Sequence, residues 1–430
     1  MKARFFVVLG LAVSFVVGGN TCSLAQEKSW MGENVLPKRP VEDIIFYIST
    51  DKALFASSLC DQMPFHVRQD RNGQLRIHDG HHEGWVNKAD FVLAKEATAY
   101  FDEHIKADPK NTFALHMRGL GWLEQREYDR ALKDLDECIR LNPNDPTIFV
   151  SRGEAWDEQR DYDKAIREYS EAIRLDPKNV RALYMRGYAW ADKHEFDKAC
   201  KDLDEAISLD PGNAFALNCL GYVGIEQKEF DKALKALNES IRLDPNNPDA
   251  FVERSRVWTA KDEFDKALED TDHAVSLDPA YSRALAARSS AWQDKKEFDK
   301  AMRDADEAIR LDSKYAEAFN VRAAVWAAKQ DYDKALADMG IAISLAPRDA
   351  IFLCNRSLIW SAREDYDRAI EDLDQAIRLD PREPAAFLYR GAVWATKGRY
   401  DKAFVDFDDA IKLDPKSAEA FAARGETWSE

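Results

Sequence analysis

The stretch FDKACKDLDEAISLDP, residues 196–211, decides the fold of this chain because it recurs with small changes at a fixed distance. Residues 162–177 read YDKAIREYSEAIRLDP, and further copies begin at Phe230 and Phe264. Within each copy, apolar and small residues recur at spacings of three and four, which predicts an amphipathic helix. The proline that follows Leu-Asp ends this helix and frees the chain to turn.

The copies belong to a longer unit of 34 residues. Counted from Thr112, the unit occurs nine times and ends at Ser417, and a tenth begins at Ala418. The first half of each unit predicts another helix, with a small residue where the two helices meet. The recurring small residues and the proline of the third unit are Gly187, Ala199, Ala206 and Pro211. A fixed period of this length predicts stacked helix pairs that share one continuous core.

The pattern resembles the tetratricopeptide repeat, and the resemblance covers the nine full units, 306 of the 430 residues. It implies a mainly α fold, a right-handed α-solenoid of two-helix units. The family pattern is broken by Cys138 and Ser240, which replace the later alanine, and by Ser313, which replaces the proline. Residues 94–111 are interpreted as a capping half repeat, and residues 418–430 as a terminal partial repeat.

Two recurring positions beyond the family pattern have a structural interpretation. Trp occupies the eleventh position in nine of ten units, from Trp122 to Trp428, and Gly224 is the exception. An aromatic ladder for a ligand is the alternative, but these Trp residues share a face with the small packing residues, so we expect core packing. Asp stands at the eighteenth position in all nine full units, as Asp163 and Asp197 do. We expect it to cap the second helix.

A further pair of positions indicates a buried ion pair. Arg fills the seventh position in nine of ten units, and an acid fills the twenty-third in eight of nine. The fourth unit has Leu220 and Ala236 there, and it also lacks the Trp. An unpaired charge beside an apolar stripe is costly, so the joint loss indicates coupled positions. We expect a partly buried Arg–carboxylate pair between the two helices, such as Arg288 with Asp304, lying against the Trp ring.

The N-terminus predicts export from the cytoplasm. Lys2 and Arg4 precede an apolar run at residues 5–17 that is short for a membrane span, and small residues up to Ala25 offer a cleavage point. We therefore expect residues 1–25 to be a signal peptide, with an uncleaved membrane anchor as the alternative. The mature chain is expected in the periplasm or outside the cell, free or associated with the cell envelope, and without a transmembrane span.

Residues 35–93 have a different composition, with short β-type runs. Residues 65–68 and 75–77 flank the turn signal Asn72-Gly73, and residues 84–86 read Gly-Trp-Val. This ending resembles the bacterial Src-homology-three-like barrel, which implies a small module that binds cell-wall or peptide ligands or acts as a spacer. The residues in this region that could suggest a metal site are His78, His81, His82 and Glu83. Adjacent turn residues without a distant partner are usually solvated, so we expect no metal.

Charge and motif content exclude several classes of function. A net charge of -17 disfavours nucleic acid and anionic membranes as main partners. The sequence has no Gly-rich phosphate loop, no nucleophile elbow and no HExxH motif. We therefore expect a non-enzymatic chain without catalytic residues, cofactor, metal or small-molecule substrate. The cysteines that remain after signal removal are odd in number and lack a paired spacing, so no disulfide framework is expected.

The family resemblance also implies where a partner binds. In tetratricopeptide repeats the first helices line a concave groove, whose inward positions in units one to four of this chain are largely apolar and aromatic. The peptide-binding residues expected on this basis are Phe113, His116, Met117, Leu120, Tyr184, Met185, Tyr188, Phe215, Asn218 and Tyr222. Glu154, Asp157 and Glu158 stand beside them, which favours a protein or peptide segment with apolar and basic residues. The Lys and Asn pattern of the family's carboxylate clamp is absent.

The sequence leaves the occupant of this groove open. The protein's own N-terminal domain or a second copy of the chain could fill it, so a homo-oligomer is an alternative to a foreign partner. Two functions remain as alternatives to an interaction scaffold. One is a self-assembling structural protein of the cell envelope, and the other is a cell-wall ligand binder that acts through the β module.

Overall fold

The computed structural model describes residues 34–38, 45–49, 52–55, 65–71, 74–78 and 83–429. The expected signal peptide at 1–25, the Asn72-Gly73 turn, and His81 and His82 lie outside the described residues. The described part contains seven β-strands followed by twenty α-helices. None of these helices is both long and apolar enough to cross a membrane.

The strands form one antiparallel sheet ahead of the helices. Their bounds are β1 (Asn34–Pro37), β2 (Ile45–Ser49), β3 (Lys52–Phe55), β4 (Phe65–Arg71), β5 (Gln74–His78), β6 (Glu83–Asn87) and β7 (Phe91–Leu93). The order across the sheet is β3-β2-β6-β5-β4-β1-β7. Among the described strands, β3 and β7 are therefore the edges of an open sheet rather than neighbours in the expected barrel. The hairpin expected around residues 72–73 is present, because β4 and β5 pair with Arg71 opposite Gln74.

The helices follow in the order that the repeats predict. Helix α1 (Ala94–Ala107) precedes the first unit. The first helices of the units are α2 (Thr112–Glu124), α4 (Pro146–Glu158), α6 (Val180–Asp192), α8 (Ala214–Glu226), α10 (Pro248–Ala260), α12 (Ser282–Asp294), α14 (Ala316–Ala328), α16 (Ala350–Ala362), α18 (Pro384–Thr396) and α20 (Ala418–Ser429). The second helices are α3 (Tyr128–Leu141), α5 (Tyr162–Leu175), α7 (Phe196–Leu209), α9 (Phe230–Leu243), α11 (Phe264–Leu277), α13 (Phe298–Leu311), α15 (Tyr332–Leu345), α17 (Tyr366–Leu379) and α19 (Tyr400–Leu413). The α-solenoid of two-helix units is confirmed.

The turn between the two helices of a unit is the same throughout the array. Its fifteenth-position residue adopts a left-handed conformation, with φ of 56° at Arg126 and 69° at Gly398. In the first unit, Arg126 N donates to Leu123 O at 2.8 Å. Glu127 N donates to Trp122 O, also at 2.8 Å. These two bonds are the Schellman pattern that ends a helix, so the second helix begins at the seventeenth position.

The expected capping role of the eighteenth-position aspartates is wrong. Asp163 is the second residue of α5, and the N-cap is the residue at the sixteenth position. In this first turn the carboxylate instead interacts favourably with the positive end of the helix dipole. Several of these aspartates pair with a basic residue of the next unit, as Asp299 does with Lys329 (2.8 Å). Side-chain caps occur at the start of first helices, where Asn179 Oδ1 accepts from Ala182 N (2.8 Å).

The small residues between the helices are buried, as expected. Ala199, Leu203 and Ala206 are fully buried. A Cβ atom added to Gly187 would lie 2.9 Å from Leu203 Cγ, so a larger residue at this position would push the two helices apart. Gly224, which replaces the Trp of the fourth unit, has equally little space. A Cβ atom there would lie 3.0 Å from the backbone of the second helix.

The Arg–acid pair is present in every full unit except the fourth, as expected. Arg288 on α12 donates from Nε and Nη2 to the carboxylate of Asp304 on α13, at 2.7 and 2.8 Å. Its Nη1 also donates to Asp272 on α11 of the preceding unit, at 2.9 Å. One guanidinium therefore joins three helices, and the charge of Asp304, which is 9% exposed, is paired inside the array.

The expected contact between this arginine and the Trp ring is wrong. The ring beneath the guanidinium is a Phe of the same helix in several units, as Phe319 lies 5.6 Å from Arg322. The Trp ring instead faces a basic residue of the second helix, and Lys300 Nζ lies 4.2 Å from the centre of Trp292. The core-packing role of the Trp is confirmed inside the array, where rings such as Trp156 pack against the buried clusters between units. It is wrong for Trp428 in the last helix, which is 79% exposed.

Helix α1 completes the N-terminal end of the array, as expected for a half repeat. Ala97 and Phe101 are buried, and Leu36 of the sheet packs into the same cluster. Asp102 accepts from Arg118 Nη1 (2.9 Å), as a preceding-unit acid does elsewhere in the array. The sheet is thus joined to the solenoid through a shared core. The cysteines of the helical region are all free thiols: Cys138, Cys200, Cys219 and Cys354.

Candidate functional site

The solenoid winds back onto itself, so that early units touch late ones. The left-handed loop residues of units one to four face acids that follow the second helices of units six to nine. The four pairs are Arg126–Asp312 (3.2 Å), Arg160–Asp349 (2.7 Å), His194–Asp380 (3.6 Å) and Lys228–Asp414 (2.6 Å). We call them rungs one to four. They join residues 186 to 189 positions apart, so one superhelical turn takes about five and a half units.

A second contact at each rung has its basic residue in the late unit instead of the early one. Here the thirty-third residue of a late unit is basic and reaches the loop of the early unit. The contacts are Lys314 with Glu127 (2.7 Å), Arg348 with Asp161 (2.9 Å), Arg382 with Glu195 (2.6 Å) and Lys416 with Gln227 O (3.4 Å). Successive turns of the superhelix are therefore held together mainly by ion pairs.

The turns enclose a central cavity of about 2180 Å³, lined by residues from Lys95 to Glu383. None of the described strands contributes to its lining. Sixteen Asp or Glu side chains line it against eight Lys or Arg, so its field favours cations. The volume exceeds the roughly 300–1,000 Å³ of ordinary small-molecule pockets, so a chain segment fits this space better than a metabolite does.

An aromatic pair forms one wall of the cavity. The rings of Tyr188 and Tyr222 stack at 4.7 Å between centres. Arg256 lies over the other face of this wall, 5.3 Å from the centre of Tyr222. The Tyr222 hydroxyl donates to Asp192 at 2.5 Å, which fixes the ring. The wall therefore combines stacked ring surface with the guanidinium of Arg256 and the hydroxyl of Tyr222.

An acidic cluster lies beside this wall. Oδ1 of Asp157 is buried and has no hydrogen-bond partner among the described residues. Burial raises the pKa of Asp157 well above its ordinary value, and the carboxylates of Asp192 and Glu158 raise it further. Burial also raises the pKa of Asp192. A buried acceptor without a donor is unfavourable, so this carboxylate is poised for a cationic hydrogen-bond donor.

The wall next to the aromatic pair is a satisfied ion network. Glu253 is 2% exposed and accepts from Arg256 (2.8 Å) and from Arg283. Arg283 also donates to Asp249 (2.6 Å). Burial favours the neutral acid, but the two guanidinium groups outweigh it and lower the pKa of Glu253. Because every charge here has a partner, this wall is structural rather than a vacancy for a ligand group.

Half of the expected peptide-binding residues line the cavity. These are Leu120, Met185, Tyr188, Phe215 and Tyr222. They occupy the second, sixth and ninth positions of their units. The other five, which are absent from the lining, are Phe113, His116, Met117, Tyr184 and Asn218.

Packing between neighbouring units accounts for most of the five residues outside the lining. His116 Nε2 is bonded to Ser151 Oγ of the next unit (2.8 Å), and burial lowers its pKa to about 4. Met117 is fully buried in the cluster beneath α1. Tyr184 is 6% exposed and packs in the core between its own and the next unit. The fifth-position side chains of His116 and Tyr184 contact the next unit, and Met117 is covered by α1, so none of the three is available to a ligand.

Sequence reasoning missed part of the acidic lining. Acids stand at the thirteenth position of units one to four, and all four side chains line the cavity: Glu124, Glu158, Asp192 and Glu226. Only Glu158 was singled out from the sequence. The recurrence of an acid at one inward position of four successive units is the signal that could have identified the others.

Comparison with known proteins agrees with the repeat architecture. Models of the tetratricopeptide repeat match residues 116–178, 157–214, 216–247 and 361–423. A search of curated protein sequences finds no match. Among solved structures, the APC/C hetero-tetramer Cut9–Hcn1 aligns at 12% identity over 74% of this chain and 76% of that chain, with a TM-score of 0.49.

Two further solved structures align with the chain at low identity. A tetratricopeptide repeat protein from Parabacteroides merdae shows 21% identity over 58% of this chain and 98% of that chain, with a TM-score of 0.44. Yeast Tom70 shows 16% identity over 75% of this chain and 96% of that chain, with a TM-score of 0.42. From the sequence models and the helix pairs together, the chain carries tetratricopeptide repeats.

Proposed function

We propose that the chain is a non-enzymatic interaction scaffold whose central cavity binds a protein or peptide segment with apolar and basic side chains. The observation that carries this proposal is Asp157, whose buried Oδ1 has no donor among the described residues and which lines the cavity with the aromatic wall. Tetratricopeptide repeat arrays in general serve protein–protein interaction, which supports the coarser part of the proposal.

The chemistry of the cavity selects the kind of segment. A Lys or Arg side chain would supply Asp157 with a charge-assisted hydrogen bond, which is stronger than a neutral one. Apolar side chains on either side would cover the stacked rings of Tyr188 and Tyr222. The excess of acids in the lining disfavours nucleic acid and acidic segments.

Selection from a random peptide library with the full chain as bait tests this proposal. Basic residues flanked by apolar ones are expected among the selected peptides. Asp157→Asn is expected to weaken binding of those peptides by roughly tenfold or more, because one charge-assisted bond is lost. Asp163→Asn is the matched control, since Asp163 lines the cavity but is 74% exposed and paired with Lys193. Equal affinity of the wild type, Asp157→Asn and Asp163→Asn for the selected peptides would contradict the proposal.

We also propose that the chain is exported and that its sheet is an N-terminal end piece joined rigidly to the solenoid. The basic and apolar residues at 1–25 support export, and the core that Leu36 shares with α1 supports a rigid junction. N-terminal sequencing of the protein purified from its native cell is expected to begin near Gln26. A mature chain that still starts at Met1 would overturn the cleaved signal peptide and favour the uncleaved anchor.

A further inference from the structure

Rung three differs from the other rungs in its chemistry. Its early-unit residue is His194, whereas the other three rungs have Arg or Lys there. Its late unit presents two carboxylates, Asp380 at the thirty-first position and Glu383 at the thirty-fourth. The same two positions are Asp312 and Tyr315 at rung one, Ala346 and Asp349 at rung two, and Asp414 and Ser417 at rung four. The histidine and the doubled carboxylate therefore occur together, and only at this rung.

The geometry brings these three side chains to one point. One ligand atom from each of His194, Asp380 and Glu383 lies within 4.8 Å of the other two, the single such group of three in the part of the chain that is described. His194 Nε2 is already 3.6 Å from Asp380 Oδ2. Zinc ligands at 2.0–2.2 Å in a tetrahedron lie roughly 3.4 Å apart, so small side-chain rotations suffice.

Both carboxylates are oriented by the backbone and keep one oxygen available. Asp380 Oδ1 accepts from Arg382 N (2.9 Å), which leaves Oδ2 facing the imidazole. Glu383 Oε1 accepts from Ala385 N (2.9 Å) at the start of α18, which leaves Oε2. Hydrogen bonds to the non-ligating atoms of a carboxylate are the usual outer support of a metal site.

We propose that His194, Asp380 and Glu383 bind a divalent transition-metal ion, with Zn²⁺ as the best match. One imidazole and two carboxylates form a donor set that zinc accepts, and water can complete the coordination. Two carboxylates facing one imidazole leave an excess of negative charge, which a divalent cation offsets. The ion would join unit three to unit eight and hold successive turns of the superhelix at a fixed spacing.

The consequence is a clip across a long stretch of chain. His194 and Asp380 are 186 residues apart in sequence, so a metal bond between them ties two distant parts of the array directly. The clip lies at the rim of the central cavity, because all three residues are among its lining. The metal site uses none of Asp157, Tyr188 and Tyr222, which carry the cavity proposal, so the two proposals can fail separately.

Zinc titration of the untagged, metal-stripped full chain by calorimetry tests the site. His194→Lys reproduces the Lys228–Asp414 ion pair of rung four, so it keeps a cation at the rung and removes the imidazole. The wild type is expected to bind one more equivalent of zinc than His194→Lys. Glu383→Gln is expected to lower the affinity of that equivalent by at least the roughly 10- to 100-fold that loss of an outer-shell partner causes. Circular dichroism checks that each variant keeps its helix content.

A matched variant at rung four controls for histidines that bind zinc adventitiously. Lys228→His places an imidazole opposite Asp414, but Ser417 stands where rung three has Glu383. This variant is expected to gain no zinc equivalent beyond that of the wild type. Either of two results would overturn the proposal. One is that the wild type and His194→Lys bind zinc with equal stoichiometry and affinity, and the other is that Glu383→Gln binds zinc as tightly as the wild type.

Discussion

Replacing both partners of the Arg288–Asp304 pair together is expected to destabilise the sixth unit much less than the sum of the two single replacements. After either single change, a charge that was paired between the helices stays behind without its partner. The fourth unit carries Leu220 and Ala236 at the same two positions. The double variant Arg288→Leu/Asp304→Ala therefore reproduces an apolar contact that the array already contains.

The magnitudes follow from the exposure of each partner. Arg288→Leu leaves the Asp304 carboxylate, whose side chain is 13% exposed, unpaired, and is expected to cost about 3 kcal/mol, the lower end for a broken buried pair. Asp304→Ala is expected to cost about 2 kcal/mol, because Arg288 is 21% exposed and keeps its bond to Asp272. An apolar replacement of the pair is often close to neutral, but this one also removes the bond from Arg288 to Asp272. The double variant is therefore expected to cost about 2 kcal/mol, well below the additive value.

Urea denaturation is the suitable assay, since guanidinium would screen the ion pairs. Repeat arrays need not unfold in one step, so amide hydrogen exchange in α12 and α13 should accompany the global midpoint. The expected result is a coupling free energy of about 3 kcal/mol between the two positions. A double variant whose loss equals the sum of the two single losses would refute the coupling, and with it the role assigned to the pair.

Three further predictions follow from other parts of the array. Raising the ionic strength to about 1 M should weaken the rungs, because salt screens partly exposed ion pairs. The superhelix should then expand, which small-angle scattering measures. An unchanged scattering profile would contradict this prediction. Asp157→Asn should raise the urea midpoint of the free chain at neutral pH, and this gain should shrink as the pH falls toward 3.8. The reason is that a carboxyl group whose pKa is raised in the folded state destabilises the fold only above its pKa in the unfolded state. A gain that does not change with pH would argue against a buried charge. His116, with a pKa of about 4 against 6.5 unfolded, should cost the wild type up to about 3 kcal/mol as the pH falls from 6.5 to 4; equal pH dependence in His116→Asn would refute it.

Features repeated in every unit could be predicted from the sequence, because each repeat gives an independent view of the same position. The small residues, the Arg–acid pair and the half repeat at α1 all follow from such recurrence. The errors concern contacts that periodicity leaves undetermined. The Schellman turn makes Asp163 the second residue of its helix, so it cannot be the cap. The Trp ring faces a basic residue of the second helix and the Arg lies over a Phe, a choice that spacing along one helix does not determine.

The cavity residues show a different limit. The inward positions were assigned as one set, yet His116 and Met117 are covered by neighbouring helices whereas Tyr188 lines the cavity. Adjacent first helices cover whichever inward positions lie between them. How much they cover depends on the rotation from one unit to the next, and that rotation is not a property of any single repeat position.

The closure of the superhelix is encoded in the departures from the repeat rather than in the repeat itself. Basic residues at the fifteenth position occur in each of units one to four, and basic residues at the thirty-third in each of units six to nine. In the remaining units, five to nine, the fifteenth-position residues share no common charge: Asp262, Lys296, Gln330, Glu364 and Gly398. The loop between the two helices lies beside the next turn of the superhelix in units one to four. In units five to nine, no further superhelical turn lies beside this loop within the described array. The charge pattern therefore changes where the superhelical partner ends, which is the result expected if contacts between turns, and not packing within units, determine these positions.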